Sequence, residues 1–86
     1  MNQSELYFSY PTPEELSLKP GTQCRILYER LLVGPVDNGE ILFKLRIGNH
    51  TGRLSDLRAK LRPYLYDIKA TPDQMDRSKV MYRVVG

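Results

Sequence analysis

Four stretches of the chain carry regular hydrophobic patterning. Ile41, Phe43, Leu45 and Ile47 alternate with Leu42, Lys44 and Arg46. That is the period of a strand with one buried and one wet face. The spacing predicts a strand over 40–47 with Phe43 in the core. Phe43→Ala would then cost about 3–5 kcal/mol, and Lys44→Ala next to it would be nearly silent. Upstream, Ile26, Leu27, Tyr28, Leu31, Leu32 and Val33 are residues that suit a pleated surface. They predict a strand over 22–33, with Cys24, Ile26 and Tyr28 on one face and a phase shift at Leu31-Leu32 that reads as a bulge or two-sided burial. Leu54, Leu57, Leu61 and Leu65 follow at spacings of 3, 4 and 4, a narrow helical stripe. Val80, Tyr82 and Val84 alternate with Met81 and Arg83 and predict a last strand over 79–85.

The punctuation between these stretches is strong. Thr12-Pro13-Glu14-Glu15 starts a short helical turn: Thr12 caps, Pro13 suits the first helical position and the glutamates complement the dipole. Pro20-Gly21 ends it. Asp37-Asn38-Gly39 reads as a hairpin turn, widened by Gly34-Pro35. Gly48-Asn49-His50-Thr51-Gly52 breaks the second strand, and Thr51 or Ser55 caps the helix. Pro63 would clash with the Ala59 carbonyl, so the helix ends or kinks near Arg62. Thr71-Pro72-Asp73-Gln74 marks a further turn or helix start. The aromatic opening over 4–10 reads as an edge strand or arm.

These elements predict one compact α+β domain over 1–86: a small antiparallel sheet of three to four strands packed against one amphipathic helix. A partly open barrel plugged by the helix is the alternative. Length agrees, since 86 residues support a single modest core. No apolar run approaches 20 residues and mean hydropathy is −0.46, so no membrane span is expected. The opening lacks the charged-then-apolar order of a signal peptide, and a cytoplasmic location is expected.

Candidate chemistry is mostly excluded. One cysteine and one histidine make neither an internal disulfide nor a structural zinc site, and no cofactor is expected. Cys24, read as mid-strand, is expected to be a buried small hydrophobe, with Cys24→Ser destabilising. His50 reads as a loop histidine. Asp73 and Asp76 read as dipole-complementing first-turn acids. Asn49-His50-Thr51 is a formal glycosylation sequon without a secretory context. The stretches Thr12-Pro13-Glu14-Glu15-Leu16, Lys19-Pro20-Gly21-Thr22 and Arg25-Ile26-Leu27-Tyr28-Glu29 are similar to the segment after the catalytic motif in L,D-transpeptidases. The Ser-His-Gly-Cys context of that family is absent, and Cys24 lies in Thr-Gln-Cys-Arg, so the similarity carries no activity. The chain is read as non-enzymatic.

Charge then narrows the partner. The net charge is +3, and the excess sits over 51–66, where Arg53, Arg58, Lys60 and Arg62 face only Asp56. Tyr64 and Tyr66 lie beside it. Arginines and tyrosines edging a leucine stripe suit either an interface hot spot or a nucleic-acid surface with stacking rings. The first expectation is an accessory or inhibitory protein that docks on a larger protein or assembly. The alternative is a nucleic-acid-binding module. In both, Arg53, Arg58, Lys60, Arg62, Tyr64 and Tyr66 contact the partner. Arg58 and Arg62 share an edge, and their joint removal is expected to abolish binding with the fold intact.

Overall fold

Helices make up most of residues 23–61, and a hairpin follows them. The computed structural model describes residues 10–76 and 78–86; the expected arm over 4–10 lies outside these residues except for Tyr10. The order is α1 (Gln23–Val33), β1 (Val36–Asp37), α2 (Asn38–Phe43), α3 (His50–Leu61), a 3-10 turn (Arg62–Tyr64), β2 (Asp67–Pro72) and β3 (Val80–Val85). The three strands form one antiparallel sheet in the order β1-β3-β2. The α+β class stands. The sheet is open, so the barrel alternative falls.

Of the two segments read as long strands, 22–33 is helical from Gln23 on and 40–47 is helical as far as Phe43. In α1 the buried residues are Leu27, Tyr28 and Leu31, with Cys24 and Leu32 packed beside them. Spacings of three and four carry a helical face. The Thr22 hydroxyl caps it by accepting from the Arg25 amide, and Arg25 pairs with Glu29 one turn on. Cys24 is therefore a half-buried first-turn residue, not a strand core residue; its Sγ lies 4.0 Å from an Asp56 carboxylate oxygen. Cys24→Ser keeps a donor there and loses little.

Asp37-Asn38-Gly39 starts α2 instead of turning a hairpin. The Asp37 carboxylate accepts from the Glu40 amide at 2.8 Å, the N-cap interaction of a short polar side chain. Helical winding puts Ile41 and Leu45 on one side and turns Phe43 to the other. Ile41 is fully buried, whereas Phe43 is 77% exposed. Arg46 takes φ 57° and reverses the chain, so the Ile47 amide reaches back to the Ile41 carbonyl at 3.0 Å. Ile47 is then buried as well.

In α3 the leucine stripe holds at Leu54, Leu57 and Leu61. The cap is Asn49, whose side-chain oxygen accepts from the Gly52 amide. Gly52 has a local reason: a Cβ there would come 2.7 Å from the Asn49 side-chain nitrogen. The helix stops before Arg62 as Pro63 requires. Leu65 then adopts φ 66° and is 85% exposed, so it leaves the stripe. Thr71 and Pro72 end β2 rather than starting a helix.

Ile68 on β2, Tyr82 and Val84 on β3 and Val36 on β1 face the helices. Two other devices fix the frame. Arg30 of α1 pairs with Glu40 of α2 and donates to the Gly34 and Pro35 carbonyls, both at 3.1 Å. The N-terminal turn is closed by reciprocal bonds between Thr12 and Glu15, the capping-box pattern, and it buries Leu16 and Leu18.

The Tyr28 ring is wholly buried, and its hydroxyl donates to the Pro11 carbonyl at 2.6 Å. Burial, with smaller contributions from Glu15, Tyr66 and Tyr10, pushes its pKa up to about 12. An unfolded tyrosine titrates near 10, so the fold holds this proton longer. The associated stability is complete below about pH 10 and is lost as pH rises through about 12. It amounts to about 2–3 kcal/mol. Urea midpoints measured between pH 9 and 12 should fall with phenolate absorbance, and Tyr28→Phe should remove that component of the fall.

Candidate nucleic-acid interface

The helices α2 and α3 are consecutive, joined by 44–49, and the β2–β3 hairpin follows them. Three leucines seat α3 on the core. Its exposed side carries Thr51, Ser55 and Ala59 at four-residue intervals, with Asp56 and Lys60 beside them. This is a polar, small-residue helix face that no described residue covers.

The six expected contact residues separate into two kinds. Arg53 is engaged within the chain: its Nε donates to Gln23 of α1 at 3.3 Å and its Nη1 approaches Asp56 at 3.4 Å. Arg58 donates to the Ile68 carbonyl at 3.1 Å and lies 3.7 Å from Asp67. It ties α3 to β2, with 40% of its side chain exposed. Tyr64 donates to the Glu15 carbonyl at 3.2 Å, holding the N-terminal turn. Tyr66 packs on the core with its ring 5.2 Å from that of Tyr10. Lys60 and Arg62 are exposed, and among the described residues neither side chain has an ion-pair or hydrogen-bond partner. Arg58, Arg62 and Tyr66 do meet, around a shallow cavity of about 370 Å³ that Leu65 and Asp67 also line.

Two features were not legible as site residues. Lys69 of β2 and Arg83 of β3 stand directly opposite each other, both exposed, an arrangement that is unfavourable without an anion. No ion-pair partner for either occurs among the described residues. At the other end of the sheet, Leu42 and Phe43 stand exposed beside the hairpin loop. In that loop the Ser78 hydroxyl and amide bond to Asp76 and hold its carboxyl below the usual range.

Among the described residues, no group of three His, Cys, Asp or Glu side chains is placed to hold a metal ion. No helix there is long and apolar enough to cross a membrane. No family model, curated protein or solved structure matches the chain.

Proposed function

We propose that this chain binds double-stranded DNA, with the exposed face of α3 entering the major groove. The observation that carries this is the α2–α3 unit: α3 is held from behind by Leu54, Leu57 and Leu61 while its polar face stays open. A helix so presented fits the B-form major groove, whereas the A-form groove of RNA is too narrow to admit it. Thr51, Ser55 and Ala59 lie where base edges would be reached. Lys60 and Arg62 supply uncommitted cations for phosphates. A sequence pI of about 9.2 accords with such a surface.

Titration of a random-sequence DNA duplex against salt tests this. The logarithm of affinity should fall linearly with that of salt, by about 0.9 for each phosphate neutralised, and duplex RNA should bind more weakly. Exposed Leu42 and Phe43 favour a second reading, docking on a larger protein as an accessory subunit or inhibitor. Such docking rests on apolar burial and tolerates salt. A nuclease-resistant partner retained at about 0.5 M salt, without duplex affinity, would replace the first reading by the second.

A further inference from the structure

The two-residue strand β1 pairs Val36 with Tyr82 and Asp37 with Met81. One further step of that register sets residue 38 opposite Val80. There the backbone leaves the sheet to begin α2, so its amides are no longer offered to β3. The side chain of Asn38 replaces them. Its Nδ2 donates to the Ser78 carbonyl at 2.9 Å, and its Oδ1 accepts from the Val80 amide at 3.0 Å. A primary amide carries one acceptor oxygen and an NH₂ donor, the same pair of functions that a ladder step would present.

The two bonds span 40 and 42 residues of sequence and join the first residue of α2 to the point where the hairpin loop re-enters β3. Lys79 adds an ion pair to Asp37 at 3.8 Å. The loop is braced from within: the Asp73 amide bonds the Lys79 carbonyl at 2.9 Å, and Asp76 accepts from Ser78. A cleft of about 330 Å³ is lined by Asn38, Phe43, Asp76 and Ser78 and by His50, the first residue of α3. The His50 ring meets that of Tyr82 edge-on at 6.1 Å. The loop therefore sits beside the start of the helix assigned to the groove.

We infer that Asn38 is a positioning residue: it fixes the hairpin to the α2–α3 pair, so that α3 and the hairpin meet a duplex as one preformed surface. This rests on the DNA-binding reading. An unclamped hairpin would have to be ordered at the moment of binding, and that ordering reduces affinity. Asn38 carries no charge, so its removal leaves the number of phosphate contacts unchanged.

The test compares wild type with Asn38→Ala by amide hydrogen exchange and by duplex titration across salt. In the free protein, exchange at Val80 should quicken about tenfold while amides of the α3 interior keep their protection. Duplex affinity should fall about tenfold with the salt slope unchanged. A variant that had merely lost global stability would bind normally well below its unfolding temperature. Unchanged Val80 exchange would overturn the clamp. Faster exchange with normal affinity would overturn its role in binding. A wild type that binds no duplex at all would overturn the DNA reading itself, and the role of Asn38 in binding with it.

Discussion

Leu57→Ala should cost about 2–5 kcal/mol, while Phe43→Ala should change stability by less than about 0.5 kcal/mol. Leu57 has no exposed surface and lies among Leu54, Leu61, Leu27 and Ile68 in one buried cluster. Its truncation removes apolar contacts and leaves a cavity that a close-packed interior fills only in part. A domain of this size holds about 5–15 kcal/mol in all, so the loss would consume much of it. Phe43 is larger, but it is already mostly in water when the protein is folded. Chemical denaturation of the two variants side by side measures the contrast. An equal loss from both would mean that α2 is rotated from its described position.

Replacing both Lys60 and Arg62 by Ala should leave the melting temperature unchanged and lower the salt slope of duplex binding by about 1.8, some 0.9 for each cation. Affinity at about 0.15 M salt should fall more than about tenfold. Both side chains are exposed and unpaired among the described residues, so nothing in the fold depends on them. Arg58→Ala makes the informative contrast. It deprives the Ile68 carbonyl of a donor and should lower the melting temperature. The structure gives the two arginines different surroundings: Arg58 ties α3 to β2, whereas the Arg62 side chain has no partner among the described residues. Loss of stability in the Lys60/Arg62 variant, or an unchanged slope, would remove these residues from the interface.

What could be read along the chain was local. The leucine stripe of α3 and its stop at Pro63, the Thr12–Glu15 box and the strand over 79–85 each depend on neighbours within a few residues. A cap, a proline or an alternation acts at that range whatever surrounds it. Signals for α1 and α2 were present too: Thr22 before Arg25, Asp37 three residues before Glu40, and Cys24, Leu27, Tyr28 and Leu31 at helical spacing. β-branched and aromatic content competes with them in the first case and a short run of alternation in the second. Strand preference of that kind records burial and packing more than backbone bias. Segments this short are settled by which face meets the rest of the molecule.

The sequence by itself determined the α+β class, the position and end of the longest helix, and a surplus of positive charge around it. The tertiary structure alone decided that 23–33 and 38–43 are helices, that Phe43 faces water, and that Arg58 and Tyr64 are spent on carbonyls 10 and 49 residues away. It alone joined Asn38 to Ser78 and Val80. The physical reason is range. Caps and spacing act through covalent neighbours, whereas the use of a guanidinium, a hydroxyl or an amide depends on which unpaired backbone groups the finished fold places within 3 Å or so.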